Sequence, residues 1–214
     1  MADIFREIEE DLRAERMQQL WKRYGSWVIA LAALIVIGAG VFSWWRDHQT
    51  KVRAAEGERY AAALQLADQG DTASAAAAMA AIAKDAGAGY ATLADLTAAG
   101  LEGERGDIDG ALARYDALAA NSSVDKSFRD LATLLGAYYR VDREPLDSLR
   151  QRLQPLMADD NVWRYSAREL VALAELKAGD QAAARTSFQK LADDALAPAG
   201  LRARAAEMLA SFNG

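Results

Sequence analysis

The only imidazole in this 214-residue chain is His48, and cysteine is absent, so the side chains that most often carry nucleophilic, acid–base or soft-metal chemistry reduce to one. Without cysteine there is no disulfide, thiolate nucleophile or cysteine-ligated zinc, and one histidine makes no His-pair metal motif. His48 stands three residues beyond Trp45, between Asp47 and Gln49, a setting that suits a polar boundary residue. Two carboxylate pairs, Asp159 with Asp160 and Asp193 with Asp194, are the remaining acid–base candidates. Nothing near either pair in sequence would raise one pKa, and both fall where turn and capping residues are expected. The chain therefore reads as a binding protein and not an enzyme, with no catalytic residue, cofactor or metal assigned. Its net charge of -6 argues against nucleic acid as the main partner, because phosphate binding needs a basic surface.

Positioning falls to helices alone. Alanine supplies 49 residues, and from residue 46 onward Val and Ile together supply seven, too few for a sheet. Residues 26–45 form an uncharged run of 20, and at about 1.5 Å per residue a helix of that length crosses a hydrocarbon core of about 30 Å. Trp27 at one end and Trp44 and Trp45 at the other match membrane-interface belts, with Lys22, Arg23 and Arg46 resuming the charge. A cleaved signal peptide and a buried core helix are the competing readings. Against the first, the leader carries six acids and is too long; against the second stands the length of the uncharged run. The expected organisation is an amphipathic cytoplasmic segment (1–25), a transmembrane helix (26–45) and a C-terminal domain (46–214). In the leader, Ile4, Ile8, Leu12, Met17, Leu20 and Trp21 fall at helical spacing. The basic residues are nearly balanced across the run, so the N-in, C-out orientation rests on the tolerance of long domains to translocation.

The C-terminal domain repeats itself. Gly followed by Asp and an alanine-rich stretch occurs at Gly70, Gly106 and Gly179, spaced by 36 and 73 residues. Counted from those glycines, small residues stand at Ala75, Ala111 and Ala184, large ones at Met79, Tyr115 and Phe188, and aliphatic ones at Ile82, Leu118 and Leu191. A small residue lets a paired helix approach, and the large ones fill the space beside it. A weaker copy lies at residues 143–159, with Leu146, Leu149, Leu153 and Leu156 but Pro155 inside it. The pattern predicts four helical hairpins, over residues 54–86, 89–120, 124–158 and 161–193, and a last helix from Pro198 to Phe212.

This pattern resembles the tetratricopeptide repeat, with a longer period and with Glu102 and Glu175 where the family's first helix carries a tyrosine. The resemblance implies an all-α fold: one transmembrane helix followed by a right-handed stack of hairpins. The whole chain is similar to the YfgM family of ancillary Sec translocon subunits. The residues that carry the likeness are the span exit from Trp44 to Gln49, the helix beginning Gly89, Tyr90, Ala91, and Trp163 leading through Glu169 and Leu170 to Gly179 and Asp180. That resemblance implies a Gram-negative inner-membrane protein whose periplasmic repeats join the Sec translocon to periplasmic chaperones during export. A structural accessory subunit of another inner-membrane complex is the alternative. Tyr138, Tyr139, Trp163 and Tyr165 are the richest aromatic cluster outside the run. They are the candidates for partner binding on a concave face, with packing between repeats as the competing role, above all for Trp163.

Overall fold

The computed structural model describes the backbone of residues 2–212 and the side chains of residues 17, 21–27, 29, 31 and 33–212. By contact the chain divides into Met1–Ala55 and Glu56–Gly214. Helix α1 runs Ala2–Asp68. Past the apolar run its turns are linked one above the other: Lys51 Nζ lies 2.7 Å from Asp47, Arg53 donates to Gln49 at 3.3 Å, and the Thr50 hydroxyl donates to the Arg46 carbonyl at 2.9 Å. His48 stacks on Trp44, one turn before it, with ring centroids 5.8 Å apart. Within the run, Ile29, Leu34, Val36, Ile37 and Phe42 all stand more than 60% exposed and point in every direction around the axis. Among the described residues no helix is long and apolar enough to cross a membrane. The side chains of Val28, Ala30 and Ala32, inside the run, lie outside those residues, as do Ile4, Ile8, Leu12 and Leu20 of the expected leader face; Met17 and Trp21 are exposed.

In the second unit the end of α1 is followed by α2 (Thr72–Asp85), α3 (Ala88–Glu104), α4 (Ile108–Ala120), α5 (Lys126–Arg140), α6 (Leu146–Leu153) with a 3-10 turn (Gln154–Met157), α7 (Arg164–Lys177), α8 (Gln181–Asp193) and α9 (Ala199–Ser211). Helices from α2 onward pack against their chain neighbours, and α3, α5, α7 and α9 also touch in succession, forming a row of first helices.

The Gly-Asp pairs make the hairpins. Gly70, Gly106 and Gly179 have φ of 86°, 85° and 83°, the left-handed conformation that ends a helix and that other residues adopt only with strain. The next N–H, of Asp71, Asp107 or Asp180, closes back on the carbonyl of Leu66, Glu102 or Glu175 at 2.9 to 3.0 Å. The same aspartate then caps the following helix, its carboxylate accepting the N–H of Ser74, Gly110 or Ala183 at 3.0 Å. One residue thus stops a helix and starts the next, and a cap of this kind contributes about 0.5–2 kcal/mol. The repeated small and large positions all enter the core: Ala75, Ala111 and Ala184 are inaccessible, and Met79, Tyr115, Phe188, Ile82, Leu118 and Leu191 are buried.

The third hairpin lacks Gly-Asp and is built differently. Arg140, almost wholly buried, reaches Asp116 of α4 and Glu144 of the turn, and its carbonyl accepts the N–H groups of Arg143 and Glu144. Pro155 cannot continue the α-helical ladder, and the chain tightens into the 3-10 turn. Even so Leu149, Leu153 and Leu156 are buried, packed with Leu134, Leu170 and Val171. Of the two glutamates at the family's tyrosine position, Glu175 is satisfied at both oxygens and Glu102 at one, its Oε2 being buried without a partner. Glu102 accepts Arg114 Nε at 2.7 Å, and buried Glu175 accepts Arg150 and the Ser187 hydroxyl, each at 2.7 Å.

Candidate partner-binding groove

Tyr138 of α5, Leu173 of α7 and Met208 of α9 are spaced 35 residues apart on three first helices that touch in succession. They line one cleft of about 410 Å³, whose other walls are Phe188 of α8 and the charged side chains Glu169, Arg204 and Glu207. The floor is apolar because the helix behind it supplies Phe188, 1% exposed and tilted against Phe212 at 6.4 Å between centroids. Glu169 is buried, and Arg204 grips it with two parallel bonds, Nε and Nη2 each 2.8 Å from a different oxygen. That fork supplies the hydrogen bonds that burial took from the carboxylate. The hydrogen bond to Glu169, and then its charge, raise the Arg204 pKa above the ordinary value. Burial first, and the Glu169 charge second, raise that of the Tyr138 hydroxyl, with Arg204 opposing, so the phenol keeps its proton at neutral pH. With Glu169 neutralised by Arg204, Glu207 leaves the lining one net charge negative.

Of the four aromatic residues singled out from the sequence, the structure brings Tyr138, 44% exposed, to this cleft. Tyr139 turns the other way, stacking on Tyr115 at 6.2 Å between centroids and lying flush on Gly103. Trp163 packs on the Leu134, Leu149 and Leu170 cluster and donates its indole N–H to the Ser127 carbonyl at 3.0 Å. Tyr165 is buried among Phe188, Leu191 and Leu201, under Arg164 and Arg168. The interface candidates Trp27, Trp44 and Trp45 are each more than half exposed. The sequence pointed to Phe188 only as a repeat position and to Glu169 only through the family likeness, and gave no sign of Leu173, Arg204, Glu207 or Met208 beyond the spacing of Leu173 and Met208 from Tyr138.

The carboxylate pairs serve turns. Asp159 binds Arg168 at 2.7 Å, Asp193 accepts from Gln189 at 2.8 Å, and Asp194 accepts the Leu196 N–H at 2.9 Å. Among the described residues no three His, Asp or Glu side chains gather to hold a metal ion. A second cleft, of about 360 Å³, opens beside Met157 at the end of the 3-10 turn, with Val171 and Leu191 inside and Arg168, Lys190 and Asp194 at its rim.

The profile of the tetratricopeptide repeat-like domain matches residues 18–208. The chain belongs to that family. No curated protein and no solved structure matches it. Membership in a tetratricopeptide-like family assigns the chain to protein–protein interaction, with proteins as its partners. In the tetratricopeptide-like domain α5, α7 and α9 of the row carry an open apolar cleft, an arrangement suited to binding a protein segment.

Proposed function

We propose that this chain is a membrane-anchored interaction adaptor that holds protein partners on the groove along its first helices. The observation that carries the reading is the cleft over Tyr138, Leu173 and Met208 on a tetratricopeptide-like row of helices. Residues 26–45, uncharged and flanked by Trp27, Trp44 and Trp45, are the anchor, with the N-terminus cytoplasmic and the repeats periplasmic. The family match begins at residue 18 and so includes that run. The resemblance to the YfgM family supports a place at the bacterial inner membrane beside the Sec translocon, with periplasmic chaperones as the other partners. The adaptor catalyses no reaction and uses no cofactor.

The test is mass spectrometry of proteins that co-purify in mild detergent with the intact chain and with a version whose residues 26–45 are replaced by an unrelated span. Translocon subunits and periplasmic chaperones should accompany the intact chain, and the chaperones should stay with the replaced one. Enrichment of one different membrane complex, with neither of these, would refute the Sec assignment and favour a structural accessory subunit.

A further inference from the structure

The charges around the groove select the kind of segment it accepts. Among the described residues Arg204 is the only cation in the lining, and its Nε and Nη2 already hold the Glu169 carboxylate at 2.8 Å on each side. An anionic group entering the cleft would find only the Nη1 edge of Arg204 unclaimed by Glu169, and would meet the uncompensated charge of Glu207 beside it. A cationic group leaves the Arg204–Glu169 fork in place. It meets Glu207, which is exposed and within ion-pair distance of no lysine or arginine among the described residues, though its charge also reaches Arg204, and the half-exposed Tyr138 side chain. Beneath the charges, Leu173, Phe188 and Met208 offer an apolar floor, and about 410 Å³ is within the ~300–1,000 Å³ that binding clefts occupy.

We propose that this groove takes a basic amphipathic peptide segment, one that sets a bulky apolar side chain on Leu173, Phe188 and Met208 with a lysine or arginine beside it against Glu207 and Tyr138. The inference rests on the interaction role argued above and adds the chemistry of the partner. A partner built this way is read by two features at once: apolar burial supplies the affinity, and the sign of the neighbouring charge supplies the choice.

The full chain, reconstituted in bilayers of neutral lipid, is titrated against two labelled synthetic peptides with leucines at the same helical positions, one with lysine and one with glutamate between them. Fluorescence anisotropy should show the lysine peptide binding roughly tenfold more tightly. Glu207→Lys should remove most of that preference, whereas Glu58→Lys, the same charge change at an exposed position of α1, should leave it intact. Circular dichroism of both variants matching the parent chain excludes loss of fold. Equal binding of the two peptides, binding of neither, or a preference that survives Glu207→Lys overturns the proposal. The adaptor reading fails separately, if Met208→Asp leaves the co-purifying proteins unchanged.

Discussion

Replacing glycine with alanine inside a helix ordinarily stabilises it, by about 0.5–1 kcal/mol, because glycine loses the most backbone freedom on folding. Helix α3 contains two such glycines three residues apart, and the structure predicts opposite outcomes for them. A Cβ on Gly100 would meet only the Tyr115 hydroxyl at 3.6 Å, an ordinary contact, so Gly100→Ala should gain the full propensity term. A Cβ on Gly103 would run into the Tyr139 ring, reaching the hydroxyl, Cζ and Cε1 closer than atoms pack. That ring is held where it is by stacking on Tyr115 and by packing against the buried cluster of Leu96, Ala99, Ala111 and Leu118. Overpacking of this kind costs about 1–3 kcal/mol, which exceeds the propensity gain and leaves Gly103→Ala destabilised by roughly 1–2 kcal/mol. For a domain of this size that lowers the Tm by about 2–8 °C. Thermal melts followed by circular dichroism on the full chain would measure both variants. Adding Tyr139→Leu removes the obstacle, so in that background Gly103→Ala should become neutral or stabilising, a coupling of about 1 kcal/mol or more. Gly103→Ala as stable as Gly100→Ala, or a penalty that persists without the ring, would refute the close approach of α3 and α5.

The turn chemistry predicts that Gly106→Ala, forced into the left-handed region, destabilises by about 1–2 kcal/mol in urea unfolding, and that Asp107→Ala costs about 0.5–2 kcal/mol through the lost cap. Leu153→Ala should cost about 2–5 kcal/mol despite the irregular third hairpin, because the side chain is inaccessible; a change below about 0.5 kcal/mol would mean that α6 is not packed as described. Burial, aided by the charges of Tyr139 and Glu104, pushes the Tyr115 pKa up to about 12. The folded state then keeps a proton that the unfolded chain releases near pH 10. Stability from this group is complete below pH 10 and is lost as pH rises toward 12. Denaturation midpoints between those limits should fall more steeply for the parent chain than for Tyr115→Phe, and equal slopes would contradict the assignment.

Much of this fold was legible because its decisive chemistry is local. Glycine is the residue that enters the left-handed region without strain, and an aspartate after it can cap the next helix, so Gly70, Gly106 and Gly179 with their partners announce three hairpins without reference to any neighbour. The small and large positions of the second helices followed from the same register. The uncharged character of residues 26–45 is likewise a property of the sequence alone. The third hairpin was harder to read, since its turn is held by Arg140 through Asp116, 24 residues away.

The groove depended on the tertiary structure. Tyr138 and Tyr139 are the same residue type one position apart, about 100° around the helix, and sequence cannot say which direction a neighbouring helix will cover. The packing of α3 and α4 claims Tyr139, through Gly103 and Tyr115, and leaves Tyr138 facing the cleft. Glu169 and Arg204 are 35 residues apart and read separately as ordinary surface charges. Only the contact between α7 and α9 makes them a pair, and by cancelling both charges it leaves Glu207 to set the sign of the groove. Local dihedral preference is written residue by residue; the free face of a helix is whatever its neighbours leave uncovered.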